Sequence, residues 1–346
     1  MQDDKGGRQI TMKAAFRVDG NGTLGLGHVM RCLSLADALR NKNTESIFLM
    51  SDSSTERIVR ERGFQTITLN SKWDDYSTGL DSLLFQLANM DARWVITDSY
   101  YTTPQYYRSV HRLCKTAVIS EAAPTARMED IDLFINYNIY ANNYETQCIP
   151  FKCCLGIKYA MLREEFQNVE TDTRNYILVL TGGSDPYNIA THLVRELLPL
   201  IGEKASIVVV SSSLNPNIEE LRMVCNDEKV CLLENVRNMA MVMKHAILAI
   251  SSGGSTLYEL CACGIPTITY AIAPNQMDNV LEFDRLELMK FSGYYPDCPR
   301  KVLSSIASSC IVLKNDALRQ SVLAIKLRDM CDGAGSLRVA EAIVSM

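Results

Sequence analysis

No apolar run in the 346-residue chain approaches the ~18 residues that a membrane-crossing helix needs. Basic charge is not in excess either. Lys and Arg number 35 against 40 Asp and Glu, a formal net charge of −5, which argues against a general nucleic-acid or membrane-surface binder. An acidic chain can still hold an anionic ligand through backbone amides and a few placed cations. Short repeats and low-complexity segments are absent, and 47% hydrophobic with 22% charged residues is ordinary globular composition. No Gly-Lys-Ser/Thr follows a glycine loop, which excludes a P-loop. The twelve cysteines have no zinc spacing, because Cys153-Cys154 and Cys261-Ala262-Cys263 lack a matching Cys/His pair. No metal site is expected. Cys32, Cys114, Cys231, Cys261 and Cys263 lie in apolar runs and read as small buried hydrophobes of a reducing compartment. The first residues, MQDDKGGRQIT, lack the apolar core of a signal peptide. They are expected to form a flexible lead-in over residues 1–11 of a cytoplasmic protein.

What is present is alternation. Apolar runs at Ala14–Val18, Ser46–Met50, Gln65–Leu69, Trp94–Thr97 and Thr116–Ile119 read as strands, with Ile131–Asn136 a possible sixth. Helical patterns fill the intervals at His28–Lys42, Thr55–Arg62, Leu80–Asn89 and Pro104–Leu113. A second series has strands at Tyr176–Leu180, Ser206–Val210, Val230–Leu232, Ala246–Ile250 and Thr267–Ala271. Such alternation predicts parallel sheets covered by helices. The expected architecture is α/β, with two Rossmann-like domains facing a cleft. Residues 12–150 would form the N-terminal domain and residues 151–346 the C-terminal one, with a linker between about Asn136 and Asn175.

Residues Phe16 to Arg31, FRVDGNGTLGLGHVMR, are the most informative segment. A strand breaks into a turn containing Gly20, Gly22, Gly25 and Gly27, and a helix follows. Such a loop can offer backbone N–H groups to a phosphate at the positive end of the helix. His28 stands at the helix start and Arg31 follows one turn later. A dinucleotide site would want a third glycine and an acidic residue about 20 residues on. The third glycine is missing, and Asp52 is only a weak match for the acid. His28 reads either as a packing residue or as an acid/base group; the glycines that admit a ligand favour the second. The remaining histidines read as structural: His111 and His245 in helical segments, His192 after a helix start.

Other chemistry-bearing residues recur at strand carboxyl ends, where ligands of α/β folds collect. Asp98 and Tyr100 follow one strand. Gly183, Asp185 and Asn188 follow another, in Thr181-Gly182-Gly183-Ser184-Asp185-Pro186. Gly254, Ser255 and Glu259 lie in a small-residue turn that opens a helix. There Glu259 reads as a ribose-gripping carboxylate or as a favourable charge near the helix dipole. Asn275 and Gln276 follow the next strand, and Asn275 can be only a helix cap.

The segments FRVDGNGTLGLGHVMRCLSLA, ITDSYY, INYNIYA, GIKYAMLREEF, TGGSDPYN, GGSTLYEL and NQ at Asn275–Gln276 occur in that order over nearly the whole chain. Together they resemble the UDP-sugar hydrolases of pseudaminic acid biosynthesis and the related spore-coat polysaccharide proteins. The combination of G-x-G-H-x-x-R, YAxLREEF and GGSD carries the resemblance; the glycine loop alone is shared with many nucleotide-sugar enzymes.

The resemblance implies a fold like that of the B-type glycosyltransferases, with UDP bound mainly by the C-terminal domain. It implies a metal- and cofactor-free cleavage of UDP-2,4-diacetamido-2,4,6-trideoxy-β-L-altropyranose into free sugar and UDP, with inversion. His28 takes the position of the base for water attack at the anomeric carbon, and Tyr100 that of a supporting residue. Glu259 and Asn275 match positions in the nucleotide pocket. Asp19, Gly25, Gly27, Arg31, Asp98, Tyr159, Arg163, Gly183, Asp185, Asn188, Gly254, Ser255 and Gln276 complete the expected substrate contacts. Asp19 and Arg31 would orient the histidine or the sugar, or lie behind the site. The expected partner is a UDP-sugar, with no nucleic acid and no membrane insertion; the oligomeric state is not legible.

Two departures bear on the sugar. The chain reads Asp98-Ser99-Tyr100 where the family often has Asp-His-Tyr, and Ser120-Glu121-Ala122-Ala123 where an acidic pair is common. Two rival readings share these residues: a B-type glycosyltransferase with a UDP-sugar donor, and a non-catalytic nucleotide-sugar-binding protein of surface polysaccharide assembly.

Overall fold

The computed structural model describes residues 12–346 apart from 22, 148, 171–173 and 204; the expected lead-in over residues 1–11 and Gly22 of the loop lie outside the described residues. The chain forms two compact units. One runs to Arg163 and takes up Ala334–Met346 at the end of the chain; the other is Glu164–Gly333.

The first unit alternates strand and helix in the order β1 (Met12–Val18), α1 (Gly27–Arg40), β2 (Thr44–Met50), α2 (Glu56–Glu61), β3 (Gln65–Thr68) and α3 (Leu80–Asn89). It continues through β4 (Trp94–Asp98), α4 (Pro104–His111), β5 (Lys115–Ile119), β6 (Leu133–Asn136) and β7 (Lys152–Leu155). All strands pair in parallel, in the order β3-β2-β1-β4-β5-β6-β7. β4 is buried along its whole length and β1 along nearly all of it, as expected of strands covered on both faces. From β1 the chain winds outward to β2 and β3; from β4 it winds the other way. The connections therefore diverge above β1 and β4, and a crevice opens there at the strand carboxyl ends.

β7 lies inside the stretch expected to be a linker. It pairs with β6, Ile135 facing Cys154, so the sheet of this unit runs past residue 150. The segment KCCL carries no β-branched residue, yet Cys154 is buried and packs as a small hydrophobe.

The second unit runs β8 (Tyr176–Leu180), α5 (Ile189–Leu197), β9 (Ser206–Ser211), α6 (Ile218–Val224), β10 (Val230–Glu234), α7 (Met239–Met243) and β11 (Ala246–Ser252). It then runs α8 (Thr256–Ala262), β12 (Thr267–Ala271), α9 (Met277–Arg285), β13 (Met289–Tyr294), α10 (Pro299–Lys314) and α11 (Ala317–Met330). The strand order β10-β9-β8-β11-β12-β13 puts the same reversal between β8 and β11. Alternate residues Ile177, Val179, Ile207, Val209, Leu248 and Ile250 face a core completed by Leu193 and Leu197 of α5 and by Ile306 and Cys310 of α10. Two expectations change here. Cys231 is exposed, because β10 is an edge strand with one open face. His245 lies in the turn between α7 and β11 rather than in a helix.

The last helix, α12 (Gly335–Val344), belongs to the first unit. It buries Val339, Ala340 and Ile343 and packs against α1. Ser336 Oγ donates to the Leu162 carbonyl at 3.0 Å. A Cβ at Gly335 would sit 2.2 Å from the Ala160 carbonyl oxygen, so only glycine admits this close backbone approach.

Candidate active site

At the reversal in the first unit, the β1–α1 loop is built on a buried clamp. Asp19 Oδ1 accepts the Ser51 N–H at 2.7 Å. Its Oδ2 accepts from Arg17 at 2.6 Å, the Ser51 hydroxyl at 3.0 Å and Tyr76 OH at 3.1 Å. The Arg17 guanidinium also lies over the Tyr76 ring, 3.8 Å from its centroid, which accounts for a buried arginine inside a strand. Asp19 thus ties the end of β1 to the end of β2. Its carboxylate is spent on this frame and is not hydrogen-bonded to His28.

Beyond the clamp the backbone turns close to α1. A Cβ at Gly20 would lie 2.9 Å from Val29 Cγ2. Asn21 Oδ1 accepts the N–H groups of Thr23 and Leu24 at 2.8 and 2.9 Å, and the Gly25 N–H reaches the Asn21 carbonyl at 2.8 Å. Gly25 takes the left-handed φ of +74°, and nothing lies within 4 Å of a Cβ at Gly25 or Gly27. The face of the loop at these two residues is therefore open.

His28 and Arg31, one turn apart on α1, converge on Asp98 at the end of β4. His28 Nδ1 is 2.6 Å from Asp98 Oδ1. Arg31 Nε donates to Asp98 Oδ2 at 2.5 Å and Nη2 to Oδ1 at 2.6 Å, the bidentate fork that a carboxylate matches best. Asp98 is 2% exposed. Burial alone would push its carboxyl up, but the Arg31 guanidinium and then His28 outweigh that and hold it at about 2. Arg31 is held protonated: Asp98 and Tyr137 overcome the opposing effect of its burial.

His28 Nδ1 has two close neighbours of opposite demand: the ionised Asp98 carboxylate, 2.6 Å away, can only accept, and Arg31 Nη2, 2.9 Å away, can only donate. Arg31 Nη2 already donates to Asp98 Oδ1 at 2.6 Å, so the shorter contact, Nδ1 to Asp98, is the one that a hydrogen on Nδ1 satisfies. In the neutral imidazole the lone pair is then on Nε2. Aspartate fixes the tautomer and steadies any imidazolium that forms, as in other aspartate–histidine pairs.

Tyr100 packs T-shaped on His28, ring centroids 5.0 Å apart, and is 54% exposed. Its phenol is pushed up by partial burial and then by the neighbouring Glu121 carboxylate. It is therefore a neutral donor at ordinary pH. Glu121 Oε1 also stands 3.6 Å from Arg31 Nη1, and Tyr137 OH accepts a long 3.4 Å bond from the same guanidinium. Glu121 and Tyr137 were not among the expected site residues. Their signal was positional: they follow β5 and β6, the strands next beyond β4. Tyr159 ends a 3-10 turn, Ile157–Tyr159, with Lys158 Nζ 5.1 Å from its ring, and Arg163 directly precedes a second such turn, Glu164–Phe166.

In the second unit, two groups of expected residues flank the reversal at β8 and β11. Asp185, buried, accepts the Ile189 and Ala190 N–H groups at 2.8 and 2.9 Å, capping α5. Burial pushes its carboxyl up, against the pull of these two amides. Asn188 adopts a left-handed φ of 53° and donates to Glu220 Oε2 at 2.6 Å. The Gly183 carbonyl accepts from Ser212 Oγ at 2.6 Å. This turn is occupied with its own scaffolding.

The turn after β11 is more open. Gly254 has nothing within 4 Å of a Cβ, Ser255 is exposed, and Glu259 is half-buried on α8. A Cβ at Gly253 would meet Val280 Cγ1 at 2.5 Å and Gln276 Cβ at 3.1 Å, so this turn lies against the segment holding Asn275 and Gln276. Gln276 Oε1 accepts the Ile272 N–H at 2.9 Å, and Tyr258 OH donates to Asn279 Oδ1 at 2.7 Å. Asn275 is not a cap: it lies within a 3-10 turn, Pro274–Gln276, and is exposed.

Residues 177–290 match the glycosyltransferase family 28 C-terminal domain. The chain is similar to the crystal structure of Acinetobacter baumannii MurG, with a TM-score of 0.71 at 14% identity, over 97% of this chain and 100% of that one. The fold is that of two Rossmann-like units of the B-type glycosyltransferase kind, and the chain is similar to nucleotide-sugar-related enzymes of polysaccharide and pseudaminic acid biosynthesis.

Among relatives, an uncharacterised protein of Methanocaldococcus jannaschii is 28% identical over 74% of this chain, which spans 55% of that protein. The spore coat polysaccharide biosynthesis protein SpsG of Bacillus subtilis is 26% identical over 77% of this chain and 79% of its own length. The UDP-2,4-diacetamido-2,4,6-trideoxy-beta-L-altropyranose hydrolase of Campylobacter jejuni is 25% identical over 72% and 87%. Among the described residues no helix is long and apolar enough to cross a membrane.

Proposed function

We propose that this chain hydrolyses a UDP-linked diacetamido-trideoxy sugar to the free sugar and UDP, as a step in nonulosonic acid biosynthesis. The observation that carries the reading is the 2.6 Å pair of His28 Nδ1 and an ionised Asp98. In an imidazole with its hydrogen on Nδ1 the lone pair is on Nε2, and that atom is the one we assign as the base.

In the step proposed, His28 Nε2 takes a proton from water while the water oxygen bonds to the anomeric carbon. The bond from that carbon to the β-phosphate oxygen breaks, and its electron pair leaves on UDP. A single displacement inverts the anomeric carbon. The carbon gains oxocarbenium character as the diphosphate departs, so a good leaving group and one positioned base suffice. Such a base contributes about 10²–10⁴-fold. Tyr100 supplies a neutral hydroxyl next to His28. Arg31 and Asp98 hold the imidazole, and the backbone N–H groups of Leu26 and Gly27 at the start of α1 steady the growing charge. Gly254, Ser255, Glu259, Asn275 and Gln276 would take the nucleotide, with Glu259 on the ribose diol. Gly183, Asp185 and Asn188 shape the turn after β8.

The match to the family 28 domain also favours a glycosyltransferase that uses the same base on an acceptor hydroxyl. The two readings part on one assay. The hydrolase releases UDP with no acceptor present, and NMR shows an inverted free sugar. Release only on addition of an acceptor makes the chain a transferase, and a retained anomer excludes direct water attack. His28→Asn should lower turnover by about 10²–10⁴-fold and leave UDP affinity by calorimetry near normal. Unchanged turnover removes His28 as the base.

A further inference from the structure

An aromatic pair stands on the rim of the first unit, outside the dyad. The rings of Trp73 and Tyr101 meet edge to face, centroids 5.5 Å apart. Trp73 lies in the β3–α3 connection, and Tyr101 directly follows Tyr100 after β4. The two consecutive tyrosines divide their contacts: Tyr100 packs on His28, and Tyr101 on Trp73. The connection that holds Trp73 is fastened to strand carboxyl ends. The Leu69 N–H donates to the Met50 carbonyl at 2.8 Å, and the Ser71 N–H to the Ser51 carbonyl at 3.1 Å. The Lys72 carbonyl accepts from Ser51 Oγ at 3.2 Å. Just past Trp73, Tyr76 donates to Asp19 at 3.1 Å and lies against the Tyr106 ring of α4, centroids 5.6 Å apart. The connection therefore packs both on the β1–α1 loop that leads to His28 and on the segment after β4 that carries Tyr100.

Large apolar side chains left open at a crevice mark a ligand site. Leu26, Tyr100 and Tyr101 are 39%, 54% and 38% exposed. Trp73 is half-buried, whereas the other tryptophan, Trp94, is fully buried. A hydroxyl-rich sugar calls for free carboxylates, and those of these loops are committed: Asp19 to its clamp, Asp98 to His28 and Arg31. What the rim offers instead is apolar ring surface with an indole N–H donor at its edge. An acetamido group matches that surface, since its methyl needs an apolar partner and its carbonyl oxygen a donor.

We infer that Trp73, backed by Tyr101, is a specificity-determining residue that takes an acetamido group of the sugar, the methyl on its ring and the carbonyl oxygen on its N–H. The inference rests on the sugar proposed above but not on hydrolysis, because a transferase using the same donor needs the same recognition.

Two measurements test this. The first is calorimetry in a His28→Asn background, where the sugar nucleotide stays whole. Trp73→Ala should weaken binding of the UDP-linked diacetamido-trideoxy sugar roughly tenfold, the loss of one aromatic contact, and leave UDP unchanged. Trp73→Phe, which keeps a ring and removes the N–H, should fall between. UDP-linked 6-deoxyaltrose, which lacks both acetamido groups, should bind Trp73→Ala and its parent equally. Unchanged affinity for the diacetamido compound overturns the inference. So does an equal loss for UDP or for the 6-deoxyaltrose compound.

The second is kinetic. Trp73→Ala should raise KM by a similar factor with kcat near wild type, since a contact made equally before and during the reaction is uniform binding. A fall in kcat at unchanged KM would place Trp73 in the chemistry and overturn the inference. A wild-type chain that releases no UDP, with the calorimetric difference still present, fails the hydrolase reading alone.

Discussion

Asp98→Asn perturbs the site and the fold together, and the two effects can be measured apart. The carboxyl is held at about 2 instead of the ordinary 3.8. At about 1.4 kcal/mol for each tenfold in acidity, that is about 2 kcal/mol of stability at neutral pH. Asparagine also leaves Arg31 buried without its charge partner, and breaking a buried pair costs about 3–5 kcal/mol. The expected loss lies between these figures, about 2–5 kcal/mol, a large share of the roughly 5–15 kcal/mol of a typical domain. Both tryptophans, Trp73 and Trp94, lie in the first unit, and Trp94 is buried on β4 with Asp98. Urea unfolding followed by tryptophan fluorescence therefore reads this unit by itself.

The pH dependence gives the sharper test. A depressed carboxyl stabilises fully above the unfolded value, near pH 4, and loses that contribution as pH falls toward 2. The contribution of the ionised carboxylate should be constant from pH 7 to 5 and shrink by about half at pH 3, where the folded acid is still mostly ionised and the unfolded acid mostly protonated. The gap between wild type and Asp98→Asn should narrow accordingly. A variant as stable as wild type at pH 7, or a gap unchanged at pH 3, refutes the account of the buried pair.

Three further outcomes are expected. Glu259→Ala should weaken UDP binding roughly tenfold by calorimetry, the loss of one hydrogen-bonded charge, and intact affinity counts against its place on the ribose. Asp185→Ala removes both side-chain caps of α5 and should cost about 1–2 kcal/mol. The amides of Ile189 and Ala190 should then exchange faster with solvent, and unchanged exchange would return Asp185 to the ligand. Gly335→Ala sets two effects against each other. Alanine favours a helix by about 1 kcal/mol, but its Cβ would meet the Ala160 carbonyl oxygen at 2.2 Å, and overpacking against backbone costs about 1–3 kcal/mol or more. The clash should win, and the tryptophan-monitored transition should move to lower urea.

Much of the architecture was readable because parallel strands covered on both faces are apolar throughout. YILVL and TITYA mark β8 and β12 to the residue. β13 was missed for the opposite reason: MKFSGY is an edge strand, half-exposed over most of its length, so it carries Lys, Ser and Gly. The dyad was partly readable, since His28 and Asp98 each follow a strand at its carboxyl end. Asp19 and Asp185 occupy equivalent positions and carry the same signal, yet both are bound by their own backbone and side-chain neighbours. Whether such a carboxylate faces a ligand or the scaffold depends on the turn behind it. For Asp185 that turn includes the left-handed Asn188, and composition does not show it.

The return of α12 to the first unit has a consequence for synthesis. The second unit is one continuous stretch, whereas the first is written in two pieces separated by the whole of the other. As the chain emerges, residues 164–333 have their full sequence before α12 exists. The unit that begins first is therefore completed last, and until the final helix arrives the face of α1 that it covers stays open to water. A stop codon shortly before Gly335 would remove no proposed catalytic residue, yet it would leave the unit that carries His28 and Asp98 without its closing helix.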